Sequence, residues 1–152
     1  MSNRLNLSIH YDFDKVINIS NIELYVYDIE EAVFVELKPN LAAALKLNLI
    51  KIASENFADN KYIFVENSQI YIFKDKADIH LHDKPIFYAF DANKPVKKTN
   101  YKHIDQEIKR LNAREYINFS PQDAAEISLK KAFWYKEDLI ATLKLVERSY
   151  DE

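Results

Sequence analysis

The chain has 152 residues, 48% hydrophobic and 30% charged, with a formal net charge of −3. That suits one domain with a substantial core, and no apolar run is long enough to span a bilayer. The absence of cysteine and glycine excludes a disulfide framework, thiolate catalysis, cysteine-held metals, Gly-rich phosphate loops and the glycine-flanked nucleophile elbow.

Without glycine, asparagine has to take over many of the turn positions with positive φ. The bias to Asn, Lys and Ile points to an AT-rich genome, bacterial or phage. Met1-Ser2-Asn3-Arg4 leads into an alternating pattern, not the apolar centre of a signal peptide, so a soluble cytoplasmic protein is expected.

Leu5, Leu7, Ile9 and Tyr11 alternate with Asn6, Ser8 and His10, which predicts a half-buried strand. Residues 12–21 read as a polar loop whose end joins a second strand, where Ile22, Leu24 and Val26 alternate with Glu23, Tyr25 and Tyr27. A third strand covers Val33-Phe34-Val35-Glu36-Leu37. Pro39 and Asn40 then predict the start of a crossover helix over about 40–58, with the stripe Leu41, Leu45, Leu49 and Ile52. Residues 61–66 and 69–74 read as a hairpin around Asn67-Ser68, pairing Val65 with Ile70 and Tyr62 with Phe73. Residues 77–81 and 85–90 follow as short strands.

The composition changes at Asp91. Residues 94–114 carry seven basic side chains against two acidic ones, between two acidic flanks. Two C-terminal helices are expected, over about 101–116 and 121–149. The second has Ser120 as cap, Pro121 in its first turn and a seam of Ala125, Ala132, Leu139 and Val146. Phe133, Trp134, Tyr135 and Ile140 overflow that seam, so this helix has more apolar surface than one packing partner covers. The expected fold is therefore a single α+β domain, with a mixed or antiparallel sheet of about five to seven strands in residues 1–91 and a helical part in 101–152.

Four constellations could carry function. Ten Tyr, nine Phe and one Trp exceed what so small a core needs, and tyrosine suits surfaces wet on one side and covered on the other. Tyr25, Tyr27, Trp134 and Tyr135 are the candidate anchors for a partner. Asp78, His80 and His82 lie at i, i+2 and i+4, a spacing that can place metal ligands on one strand face. The lysines and arginines Lys94, Lys97, Lys98, Lys102, Lys109, Arg110 and Arg114 could meet phosphates. Glu36-Leu37-Lys38 resembles the Glu-x-Lys half of the PD-(D/E)XK nuclease motif. The resemblance implies a carboxylate and a lysine beside a divalent metal, with Asp28 or Glu23 on the neighbouring strand, but the N-terminal helix of that family has no counterpart here.

The absent motifs favour a non-enzymatic protein-binding module, of inhibitor, immunity or assembly type, acting through an aromatic-rich surface. No cofactor is expected. Its partner would be another protein, with homo-oligomerisation through the C-terminal helix as one form, and no membrane. The alternative is a metal-dependent nuclease or nucleic-acid-binding protein built on Glu36, Lys38 and the basic band.

Overall fold

A computed structural model describes residues 4–94, 106, 107, 109–114 and 121–149. The fold is mixed α+β, with eight strands in one mostly antiparallel sheet. They are β1 (Leu5–Tyr11), β2 (Lys15–Asp28), β3 (Val33–Glu36), β4 (Leu41–Ala53), β5 (Lys61–Phe73), β6 (Lys76–His80), β7 (Phe87–Phe90) and β8 (Leu145–Arg148). The helix α1 spans Pro121–Thr142, and residues 106, 107 and 109–114 are also helical. Among the described residues no helix is long and apolar enough to cross a membrane.

The chain divides into two compact units, Met1–Ala89 with Glu147–Glu152, and Phe90–Val146. The division falls one residue before the composition shift at Asp91.

In the first unit five strands close on themselves. β1 pairs with β2, β2 with β4, β4 with β5 and β5 with β6, all antiparallel, and β6 returns to β1 in parallel. Going once round an odd number of up-and-down strands forces one parallel seam, and this is it. A barrel this small is filled by side chains. Leu7, Ile9, Ile22, Leu24, Ile50, Ile52, Ile63, Ile70 and Ile79 are all almost completely buried in one cluster. β3 lies outside the ring, paired along the last residues of β2.

The crossover helix expected over 40–58 is not formed: residues 41–53 are strand β4. The expected hairpin at Asn67-Ser68 is not formed either, because β5 runs without a turn from Lys61 to Phe73. The two errors have one cause. In β5 the buried positions are Lys61, Ile63 and Val65 before Asn67, but Ser68, Ile70 and Ile72 after it. Asn67 has φ 47°, and this left-handed residue inverts the inside–outside phase within a continuous strand. β4 inverts opposite it: Leu41, Ala43 and Leu45 pack on the core before Lys46, Ile50 and Ile52 after it. Pairing is unbroken on both sides, Leu45 with Ser68 and Leu47 with Glu66. A phase flip at an asparagine imitates a turn, and a period of two with one slip imitates a period near 3.6.

Asn21, with φ 58°, does the same in β2. Pairing with β1 shifts from Leu5 opposite Ile22 to Leu7 opposite Ile19, a bulge that turns Ile19 and Ile22 both inward. The expected loop over 12–21 thus shrinks to residues 12–14, and the rest joins β2. Asparagine supplies three of the eight positive-φ residues described, at 21, 40 and 67. Asn40 therefore serves a turn into β4 instead of capping a helix.

In the second unit α1 stops earlier than the expected 149. Lys144 takes φ 51° after Leu143 N–H donates to Leu139 O at 2.9 Å, an ending that usually falls to glycine. Val146 then lies in β8 and not in the helical seam. Ile127 and Leu139 are the buried helix positions, whereas Leu129 (70%) and Phe133 (55%) stay exposed. Of the expected helix over 101–116, residues 106, 107 and 109–114 are helical, and the remainder lies outside the described residues.

Candidate protein-binding surface

β2, β3, β4, β5 and β7 bring one lateral row of side chains to the outer face of the sheet. Glu36 is opposite Tyr25, Tyr25 opposite Lys51, Lys51 opposite Tyr62, and Tyr62 opposite Tyr88. The sequence folds this way because Leu24, Val26, Ile50, Ile52 and Ile63 take the inner face, and a pleated strand sends their neighbours outward.

The row is held by contacts between rings and charges. Lys51 Nζ lies 5.0 Å from the Tyr25 ring centroid and 5.3 Å from that of Phe34. Phe34 packs against Tyr27 at 5.0 Å and Tyr62 at 5.8 Å, and Phe64 meets Tyr88 edge-on at 5.7 Å. Tyr25 Oη donates to Glu23 Oε2 at 2.5 Å. That hydrogen bond first, then burial, then the negative charges of Glu23 and Glu36, push the Tyr25 phenol up to about 12. Burial also raises Tyr62.

The anchor residues read from sequence divide accordingly. Tyr25 is half-buried in the row, but Tyr27 is only 8% exposed and is committed to Phe34. Trp134 and Tyr135 belong to the second unit, half-buried on α1, where Trp134 meets Phe133 edge-on at 5.1 Å.

β3 forms an open edge beside this row. Its only partner among the described residues is β2. Leu37 N–H donates to Leu24 O at 2.8 Å. Because hydrogen-bonded and non-hydrogen-bonded pairs alternate in an antiparallel ladder, Val33 and Val35 also direct their backbone groups to β2. Phe34 and Glu36 direct theirs to the open side. Val33 and Val35 are 49% and 47% exposed, and Ile29 in the adjoining turn is exposed too. Sequence reading missed this edge because a strand's place in a sheet depends on long-range pairing.

The nuclease-like residues do not form the implied site. Asp28 pairs with Val33, eliminating it as the neighbour of Glu36, and its Oδ1 accepts from Glu30 and Glu31 N–H at 3.0 and 3.2 Å to shape the β2–β3 turn. Glu23 and Glu36 both lie near Tyr25, while Lys38 is exposed beyond the end of β3. Among the described residues no three His, Asp or Glu side chains gather as a metal site.

The metal-ligand spacing is rearranged as well. Asp78 and His80 lie on β6, but His82 falls in the following loop. In its place the parallel seam brings His10 opposite His80, their rings stacked at 4.5 Å and 7°. His10 Nε2 is 3.0 Å from Asp78 Oδ1. Imidazole lone pairs lie in the ring plane, so two stacked parallel rings direct them side by side and not at one ion. His10 was invisible in sequence because only the barrel's closure puts it there.

Of the basic band, Lys94 donates from Nζ to Leu145 O at 2.5 Å, and Arg110 pairs with Glu107 at 2.7 Å. Lys109 is exposed and Arg114 half-buried on the helical turn. Lys97, Lys98 and Lys102 lie outside the described residues.

Residues 6–86 match the UU051 N-terminal domain, more than half of the chain. The chain belongs to the UU051 family. The matched residues run from β1 to just short of β7, so the UU051 domain coincides with the closed barrel and its β3 edge. The whole chain also aligns with the uncharacterized protein UU051 of Ureaplasma parvum serovar 3 (strain ATCC 700970), at 26% identity over all of this chain and 93% of that protein.

Proposed function

We propose that the chain is a non-enzymatic protein-binding module of the cytoplasm, of inhibitor, immunity or assembly type, which accepts a strand of its partner along β3. The observation that carries this reading is the β3 edge, which among the described residues pairs with β2 alone and carries the exposed Val33 and Val35. Added strands gain main-chain hydrogen bonds from such an edge and specificity from alternate side chains. The aromatic row with Tyr25, Phe34, Lys51 and Tyr62 lies directly behind the edge and offers the partner amphipathic, rigid contacts.

The test is affinity capture of tagged chain from its native lysate, with parallel nuclease treatment, for wild type, Glu36→Pro and Glu36→Gln. Proline at 36 removes an N–H that faces the open side while sparing the ladder to β2. A protein partner retained by wild type and Glu36→Gln through nuclease, and lost in Glu36→Pro, is the expected result. Recovery of nucleic acid alone would overturn the reading. A Trp134→Ala, Tyr135→Ala variant measures what α1 adds.

A further inference from the structure

We propose that the parallel seam of the barrel binds a borderline divalent transition-metal ion of the Zn2+ type, held by His10, Asp78 and His80. The proposal does not depend on the β3 edge. Ile9 and Ile79 are fully buried, so the pleat sends their neighbours to the outer face. There the parallel register of β1 with β6 puts His10 beside His80 and Ser8 beside Asp78. Two imidazoles and a carboxylate thus share one face of two adjacent strands. Imidazole selects this class of ion over Mg2+ and Ca2+, which prefer oxygen donors.

Two of the donors already stand at the spacing an ion requires. Zinc lies about 2.0–2.2 Å from imidazole nitrogen and carboxylate oxygen, so two such donors are about 2.9 Å apart when they subtend a right angle at the ion and about 3.4 Å apart at the tetrahedral angle. His10 Nε2 and Asp78 Oδ1 are 3.0 Å apart. An ion takes the place of the proton in this contact, because a ligating imidazole is neutral and a ligating carboxylate ionised.

His80 supplies the third donor. In the stacked arrangement, with ring centroids 4.5 Å apart and planes 7° from parallel, the three side chains do not yet converge. The terminal ring torsion of histidine is broad, so tilting the two rings towards each other brings a nitrogen of each to one ion without moving the backbone. Tyr71, opposite Asp78 on β5, meets the His80 ring edge-on at 6.0 Å and limits its swing on that side. The side chains of His10 and Asp78 are 33% and 42% exposed, which admits water to the remaining coordination positions. The bound ion links β1 to β6 and fastens the seam at which the ring of strands closes.

The test is calorimetric titration of the full chain with Zn2+ near neutral pH, using a tag without histidine, together with urea unfolding in the presence and absence of the ion. One Zn2+ per chain is expected, undisplaced by excess Mg2+. It should raise the urea midpoint, because only the folded chain gathers the donors. His10→Ala, His80→Ala and Asp78→Asn should each weaken binding at least about tenfold, whereas His82→Ala should leave it unchanged. In the wild type, Zn2+ should shift the ring nitrogens of His10 and His80 in the NMR spectrum and leave those of His82 in place, a readout that needs no variant to fold. Absence of Zn2+ binding overturns the proposal. So does binding lost in His82→Ala and kept in His10→Ala, which assigns the ion to β6 and the loop after it. Binding that all four variants retain places the ion elsewhere on the chain and overturns it as well.

Discussion

β2 and β5 are two of the three long strands of the barrel, and each changes face once at an asparagine with positive φ, yet by different means. At Asn21 the extra residue is absorbed on one side only: the register with β1 shifts, and Asn21 N–H donates to Asn6 Oδ1 at 3.4 Å. At Asn67 the register with β4 does not shift, because β4 turns over at the same place. A bulge is a local repair. A paired inversion commits two strands, and every inward residue on either side depends on it.

The largest effects should come from the inward positions flanking the Asn67 inversion. Ile63→Ala and Ile70→Ala each remove a fully buried side chain and are expected to cost about 2–5 kcal/mol in urea unfolding. Tyr71→Ala, one residue out of phase and exposed, should stay within about 0.5 kcal/mol. Equal losses at Ile70 and Tyr71 would mean that the phase is not inverted.

The next effect separates the two asparagines. A β-branched residue in left-handed geometry costs on the order of 1–3 kcal/mol, so Asn67→Val and Asn21→Val should both destabilise. Asn67→Val should be the larger because two strands lose their common face. Glycine tolerates the geometry, so Asn67→Gly is expected within about 1 kcal/mol of wild type by the same unfolding assay.

The smallest effect concerns the aromatic row outside the ring. The folded phenol of Tyr25, at about 12, lies above the ordinary value near 10, so the native state holds this proton more tightly than the unfolded chain. Its stabilisation is complete below pH 10 and is lost as pH rises through 12. Tyr25→Phe should cost about 1 kcal/mol at pH 7 through the lost bond to Glu23. Between pH 10 and 12 its stability should fall less steeply than that of the wild type, as followed by urea midpoints at fixed pH values.

Where alternation is uninterrupted the elements were legible. Leu5 to Tyr11 reads as a strand and is β1, and residues 77–81 and 85–90 correspond to β6 and β7. Pro121 marked the start of α1, whereas asparagine took only one turn position with positive φ among the described residues, Asn40, since Asn21 and Asn67 lie inside strands. Failure came where the pattern slips: Ala42-Ala43-Ala44 has strong intrinsic helix propensity, but its pairing with β5 overrides it. The surface was half legible. Tyr25 could be nominated from its alternation, but not Lys51 or Tyr62 beside it, nor the exposed edge of β3.

Composition and local periodicity by themselves determined the α+β class, the absence of cysteine and glycine chemistry, the short strands at either end of the barrel and the helix that opens at Pro121. These depend on neighbours in the chain, which the sequence displays directly. Only the tertiary structure decided that residues 41–53 are a strand, that Asn67 inverts a strand instead of turning it, that His10 stacks on His80, and that β3 pairs with β2 alone among the described residues. The stacking of His10 on His80 follows from the parallel return of β6 to β1, and the others from strand pairing set by tertiary contacts, which leaves no local periodic trace.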